Sequence, residues 1–511
     1  MDILSFKFII FFTVLFVIYY LFPKRYRWSV LLLGSYLFYL MGHWTYVFLM
    51  LFTTLTTFAA AKYIHRINIE CREKAKQIES REEKKHYKAR QGARKKRIVA
   101  LTLIINFGIL FFFKTSVYFM PVSLIFPLGI SFYTFQTTGY IIDVYREKYE
   151  PEKNFFKYAL FVSYFPQIIQ GPIQRYDEFV PKLFSAHSIK WHNIKYGIWL
   201  FLWGLFKKIV ISNRAAIFVN TVLGGELSTT PGTSIWIAMF LFNLELYGDF
   251  SGGIDMVNGV STMLGIELAD NFKRPFFSKT LGEYWRRWHI TLGTWIKDYV
   301  FYPLAMSKPF TNMGKAVKKR IGIHMGKTLP ASIVFVITFV MVGLWHNVSW
   351  FYVLYGIWHG VILGLSNICT SFLNNISEKL NIRTKCMSFR WFQRSRTFLL
   401  ITIGECFSLA TSWQMLKSMA ARMILHNHLA DLTMLNTYGL VDKEIGVLIV
   451  AIAFLICISM KQEKCVIIRE ALDQQNSCFQ VIATVLFIMV LLVFGIYGPG
   501  YNATAFIYEG F

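Results

Sequence analysis

The sequence predicts an all-α polytopic integral membrane protein, and three observations carry that prediction. Of 511 residues, 55% are hydrophobic, 18% aromatic and only 16% charged, more apolar surface than one soluble core of this length uses. The apolar residues fall in runs of about 11–22, most of them near the length of a bilayer crossing. The basic residues behind the formal charge of +25 lie mainly in the connections between those runs, as the orientation bias of cytoplasmic loops requires. Membrane topology therefore accounts for most of the charge, and nucleic acid is not an expected partner. Seven cysteines form no CxxC pair, and Cys369, Cys406 and Cys457 stand in or beside apolar runs, so neither a disulfide framework nor a metal cluster is indicated.

Runs at 6–22, 28–41 and 46–61 open the chain. The first is short for a span, but it lacks the basic n-region and small-residue cleavage site of a signal peptide and is expected as a retained helix. Between 62 and 97, fourteen Lys/Arg stand against five Glu. That excess makes the stretch a basic cytoplasmic loop or solvated helical hairpin, and counting back through 24–27 places the N-terminus outside. A run at 98–113 precedes 121–142, which Pro121, Pro127, Gly129 and Gly139 interrupt, and 155–174, which breaks at Pro166 and closes in Gln167, Gln170, Gly171-Pro172 and Gln174. Broken helices in lipid belong where protein or a water-filled cavity surrounds them, so these glutamines either line such a cavity or satisfy freed backbone groups. Further runs at 196–206, 209–223 and 234–247 bring Lys207-Lys208, Asn243 and Glu245 into apolar surroundings, with Asp249 and Asp255 just beyond. The acidic groups either line a site or pair with a buried base.

Residues 271–301 have the wrong character for a span. Leu281, Trp285, Trp288, Leu292, Trp295, Ile296 and Tyr299 recur at three and four, with Arg286, Arg287, Lys297 and Asp298 between them. This pattern describes an interfacial amphipathic helix on which His289 shares a face with Trp285, Leu292 and Ile296. After a basic stretch at 308–327, the run 331–345 leads into His346, and 351–365 carries His359. A second basic connection at 378–396 precedes runs at 397–413, 445–460 and 479–495, with a mixed segment at 417–443 able to hold another interfacial helix. Neither a transporter-type repeat nor a soluble domain stands out, and one membrane domain over 1–511 is expected, with 331–365 as its histidine-bearing core.

A histidine at membrane depth is a functional-site hypothesis by default. A neutral imidazole, with an ordinary pKa of about 6.5, can remove the proton of a hydroxyl as its oxygen attacks an ester or thioester, while His289 or an indole N–H stabilises the oxyanion. The chain contains no GxSxG elbow, HExxH, Walker lysine motif or GxGxxG fingerprint. A transferase working in or across the bilayer and a proton-coupled transporter both fit the residues, beside the plain reading of each histidine as a satisfied core residue.

Three motifs in this order are more specific: Glu283-Tyr-Trp-Arg-Arg-Trp-His-Ile-Thr-Leu292, then Gly343-Leu-Trp-His346 with its histidine 57 residues on, then Gly356-Ile-Trp-His-Gly360. They resemble the membrane-bound O-acyltransferase (MBOAT) family, and within it the bacterial branch of alginate O-acetyltransferase-like membrane subunits. Pro127-Leu-Gly-Ile-Ser-Phe-Tyr-Thr-Phe135, Ile142-Asp-Val-Tyr-Arg146, Phe165-Pro-Gln, Gly171-Pro-Ile, Asp249-Phe-Ser-Gly252, Asn271-Phe-Lys-Arg-Pro275 and the closing Phe506-Ile-Tyr508 are similar to it in the same order. The resemblance implies a bundle of about 11–13 helices, with broken, re-entrant and interfacial members around a central channel. It implies His346 as catalytic base or acyl relay, His289 as a second catalytic residue that positions or polarises the thioester, and Trp285, Arg286, Arg287, Trp288, Trp345, Asn347 and His359 as substrate-binding neighbours. It further implies no metal or bound cofactor, and acetyl-CoA or another acyl-CoA as donor from the cytoplasm. The resemblance likewise implies an extracytoplasmic polysaccharide as acceptor, an exported SGNH-hydrolase-like or other cell-surface acyl-acceptor protein as partner, and a place in the cell membrane. D-alanyl transfer to teichoic acid and glycan transport without chemistry are the alternatives. The chain departs from the family pattern at Asn347, often Gly there, at Gly293, where Ser is common, and in its Glu-Gly-Phe511 tail.

Overall fold

The computed structural model describes residues 2–116 and 126–497, and every regular element among them is helical. The start of the 121–142 run and the closing motif at 506–508 lie outside these residues. Six of the described helices are long and apolar enough to cross a membrane: Trp44–Gln77, Arg81–Thr115, Ile323–His346, Trp350–Lys379, Asp442–Glu463 and Ser477–Phe494. The chain forms two compact units, Met1–Ile198 with Val257–Ala269, and Trp199–Met256 with Asp270–Phe511.

In the first unit, α1 (Phe6–Leu21) and α2 (Arg27–His43) pack through Phe8, Phe11 and Phe38 around Phe165, with ring centroids 5.5 to 6.5 Å apart. Residues 62–97 take the helical-hairpin form of the two expected. They extend α3 (Val47–Gln77) and begin α4 (Arg81–Thr115), a hairpin turned at 78–80, where Ser80 caps α4 by accepting from the Glu83 N–H. Lys95 bridges Asn68 at 2.5 Å and Glu147 at 3.3 Å, and Arg72 also pairs with Glu147, so part of the basic excess is neutralised locally.

The proline-broken region follows as α5 (Ile130–Tyr145), α6 (Phe155–Ser163), α7 (Phe165–Gln170) and α8 (Tyr176–Leu183). Pro166 sits in the first turn of α7 and forces the break at Tyr164. Gln136 donates to the Phe161 carbonyl at 2.6 Å, and Gln167 donates to Gln136 at 2.5 Å and to the Pro172 carbonyl at 3.2 Å. These two amides serve the freed backbone. Gln170 is equally buried, and its amide has no partner among the described residues.

In the second unit the end of α9 (Trp191–Leu205) runs through a π-helical turn, Phe206–Ser212, into α10 (Asn213–Gly224), and this path lies against α11 (Gly232–Met263). A side chain at Gly204 would collide with the Gly252 carbonyl, and one at Gly252 with that of Gly204, so two glycines set the helix separation. Across it Lys208 bonds Asp249, both side chains 1% exposed, and Lys207 reaches Asp255 and Ser251 at 2.8 Å each. The acidic residues read as either site-lining or paired are thus paired at Asp249 and Asp255. Glu245 is buried nearby, and its Oε2 has no partner among the described residues.

The stretch expected as one helix over 271–301 is four pieces: a 3-10 turn at Pro275–Phe277, α12 (Leu281–Arg287), α13 (Ile290–Ile296) and a π turn at Lys297–Phe301. The break falls at His289, whose φ of 45° and ψ of 54° are left-handed. After α14 (Tyr302–Ala305) and α15 (Lys308–Ile321) come α16 (Ile323–His346) and α17 (Trp350–Lys379), separated by Asn347, Val348 and the α17 cap Ser349. Gly356, Gly360 and Gly364 present backbone to Phe339, Val336 and Ser332 of α16, where any Cβ would be crowded. The remainder is α18 (Met387–Leu409), α19 (Trp413–Leu425), α20 (Asp442–Glu463), α21 (Ile468–Asp473) and α22 (Ser477–Phe494), with α19 and a 3-10 segment, Leu429–Thr437, filling much of the mixed 417–443 stretch.

Replacing Lys208 by Met should destabilise the protein by about 3–5 kcal/mol, because Asp249 is left charged and buried without its base. Adding Asp249→Leu should recover most of that loss. Detergent-solubilised thermal denaturation checks both, and a harmless single substitution contradicts the structural role of the pair.

Candidate active site

The second unit brings the sequence-selected histidines together through aromatic side chains. His346 ends α16 half-buried, its ring 4.5 Å from Trp345, 6.1 Å from Tyr352 and 6.4 Å from Tyr355. On its other side Trp345 faces His289 at 6.5 Å, and Phe250 of α11 packs edge-on against that imidazole at 4.8 Å. Tyr355 continues the path to His359 at 4.5 Å, which meets Trp285 at 5.2 Å. His359 is fully buried, with no partner for either ring nitrogen among the described residues, and the Trp285 indole N–H is in the same position. Glu405, also buried, accepts from Tyr355 at 3.5 Å and from Ser408 at 2.6 Å.

Asn271 organises the His289 turn. Its backbone carbonyl accepts from the Ile290 N–H at 3.0 Å, replacing the helical bond that the left-handed residue gives up. Its side-chain Oδ1 accepts from the Thr291 N–H at 3.1 Å and the Thr291 hydroxyl at 2.9 Å, and lies 3.1 Å from His289 Nδ1. A backbone N–H only donates, so the amide must present its oxygen here. The bond to His289 therefore requires a proton on Nδ1. Burial pushes this imidazole from an ordinary 6.5 down to about 3. At neutral pH His289 is uncharged, with its lone pair on Nε2.

The other sequence candidates separate. Arg287 is taken up by Glu283 and Glu463 at 2.7 Å each, and Arg274 joins the same Glu463 at 2.6 Å, so these arginines tie the turn to the end of α20. Trp288 is core, 5.0 Å from Phe272 and stacked on Tyr284 at 5.6 Å. Arg286 and Asn347 are exposed. Trp285 and His289 do not share one helical face, because the chain turns between them. Asn271, Phe250 and Tyr355 received no role from the sequence. Asn271 stood in a family-like motif, but its 18-residue separation from His289 carries no periodic signal.

Residues 152–317 match the family model described as MBOAT, membrane-bound O-acyltransferase family. Over 457 residues, 86% of this chain and 77% of the relative, the sequence is 29% identical to the probable alginate O-acetylase AlgI of Pseudomonas syringae pv. tomato. Both matches mark a resemblance to the membrane-bound O-acyltransferase family. The chain is also 30% identical over 320 residues to the peptidoglycan O-acetyltransferase of Helicobacter pylori, covering 55% of this chain and 57% of that one. Against the teichoic acid D-alanyltransferase of Bacillus subtilis it is 28% identical over 298 residues, 55% of this chain and 66% of the other. The family-model match includes Asn271, the α12–α13 turn and His289, and stops before His346.

The depressed affinity of His289 for protons has a thermodynamic consequence. Between about 6.5 and about 3 the unfolded chain holds a proton there that the folded protein excludes, so the stability from this group is complete above about 6.5 and is lost as pH falls. Thermal stability should drop on acidification below about 6.5, and His289→Gln should flatten that drop by up to about 1.4 kcal/mol per pH unit. Melting curves across that range check it, and equal slopes for variant and wild type contradict it.

Proposed function

We propose that this protein is a membrane O-acetyltransferase that takes acetyl from cytoplasmic acetyl-CoA for O-acetylation of an extracytoplasmic polysaccharide. The observation that carries the reading is the arrangement of His289 and His346 on either side of Trp345, in a chain that resembles the acyltransferase family. Acyl transfer to a hydroxyl must break an O–H bond and a C–S bond, and form a C–O bond and a thiol. An imidazole of this pair accepts the hydroxyl proton and returns it to the departing sulfur, with the other beside the reacting groups. Trp345 and Trp285 help to exclude water from the thioester.

The coverage of the alginate O-acetylase relative, 86% of this chain, favours acetyl and a polysaccharide over D-alanyl and teichoic acid, for which the matched relative covers 55%. The basic α3–α4 hairpin sits in the cytoplasm under this reading, with the N-terminus outside and the site reached by CoA from the cytoplasmic side. Since the acceptor lies across the membrane, an exported acyl-acceptor protein of the SGNH-hydrolase type completes the transfer.

Purified protein given acetyl-CoA and a chromogenic thiol reagent should release CoA slowly, and faster with a polysaccharide acceptor. His346→Ala should slow release by about 100-fold or more. Equal rates for variant and wild type would reject the mechanism, and release only from an aminoacyl carrier protein would transfer the reading to D-alanylation.

A further inference from the structure

We propose that Asn271 is a positioning residue that selects the proton-accepting tautomer of His289, so that His289 takes a proton during acyl transfer and does not act as the N–H donor to the thioester carbonyl. This rests on the acyltransferase reading and assigns the direction in which the proton moves. The Thr291 N–H and hydroxyl hold the Asn271 carbonyl oxygen in place, and that oxygen meets His289 Nδ1. The backbone carbonyl of Asn271 holds the same turn through Ile290, so the oxygen and the imidazole move as one body. Flipping the amide would set its NH₂ against the Thr291 N–H, two donors facing each other. The Nδ1 proton is thereby committed, and Nε2 is the nitrogen with a lone pair.

The step balances without a further reagent. The hydroxyl oxygen bonds to the carbonyl carbon of the acyl thioester as its proton passes to Nε2. The tetrahedral intermediate collapses with loss of the C–S bond, and the departing sulfur takes the proton from Nε2, leaving ester, thiol and neutral His289. Stabilisation of the oxyanion falls to other N–H groups of the site.

Most charged groups on elements around His289 are matched elsewhere; on α11 the exception is buried Glu245, whose Oε2 has no partner among the described residues, and on α12 Arg286 is exposed. On the α11 side Asp249 pairs with Lys208 and Asp255 with Lys207. Around the turn Arg287 pairs with Glu283 and Glu463, Arg274 with Glu463, and Lys273 with Asp270. On α16, His346 lies beyond Trp345. A carboxylate introduced at 271 would lie in hydrogen-bond contact with Nδ1 and be the one charge the substitution adds next to His289.

The test compares Asn271→Asp and Asn271→Ala with wild type for CoA release from acetyl-CoA in the presence of acceptor. Asn271→Asp keeps an oxygen on Nδ1–H and stabilises the protonated ring, so the acid limb of the pH–kcat profile should move up by about one pH unit or more, with kcat at its new plateau largely retained. Asn271→Ala should lower kcat by about ten-fold or more, with KM for acetyl-CoA little changed. Movement of the alkaline limb in Asn271→Asp would mean that His289 donates, and loss of activity without movement of either limb would mean that Asn271 is only structural. Either result overturns the proposal. If the variants do not fold, nitrogen NMR of histidine-labelled wild type decides, with the His289 signal identified by its loss in His289→Gln. A proton on Nδ1 alone near neutral pH supports the proposal, and a proton on Nε2 overturns it. Absence of CoA release by wild type would instead count against the acyltransferase reading and leave the NMR result standing.

Discussion

A residue other than glycine in the left-handed region costs about 1–2 kcal/mol, and at His289 the candidate site depends on that cost being met. Asn271 meets it with its backbone carbonyl on Ile290 and its side-chain oxygen on the Thr291 N–H and hydroxyl and on the His289 ring. Each such bond contributes about 1 kcal/mol net. Without the turn, α12 would run on into α13 and carry the imidazole round the helix with it. With the turn, Trp285 is free to pack on His359 while His289 lies between Phe250 and Trp345.

The surroundings of that turn are rigid for reasons that do not involve the chemistry. Glu463 binds Arg274 and Arg287 at once, pinning both strands of the segment to the end of α20. The glycines of α17 bring its backbone against α16, so His346 at the end of one helix and His359 within the other have little freedom to drift. Buried Lys–Asp pairs across α11 add a requirement for register, since a displaced helix would strand a charge. Polar groups in the apolar part of the chain are thus divided between those that hold helices in place and those that surround the histidines.

Legibility in the sequence followed the range of the interaction. The apolar runs, the basic hairpin and the helix break at Pro166 were readable because each depends on composition or on a residue's own backbone chemistry. The expected helix over 271–301 shows the limit. Trp285, Trp288 and Leu292 do recur at helical spacing, yet each is inward-facing for a different neighbour: Phe339 and His359 for the first, Phe272 and Tyr284 for the second. Periodicity reports that side chains are buried, and it continues through a break when the chain on both sides packs inward. Nothing local to Arg287 points to its ion-pair partner Glu463, which lies 176 residues away.

By itself, the sequence determined that this is a helical membrane protein and that His289, His346 and His359 stand in motifs that resemble those of an acyltransferase family. These conclusions rest on hydrophobic run length, loop charge and ordered motifs, all properties of residues near one another in the chain. Only the tertiary structure decided that Asp249 and Asp255 answer Lys208 and Lys207, that Trp288 is core, and that Asn271 commits the Nδ1 proton of His289. The physical reason is that hydrogen bonds and ion pairs act over a few ångströms in space, so their partners are set by how the helices and turns pack, whatever their separation in sequence.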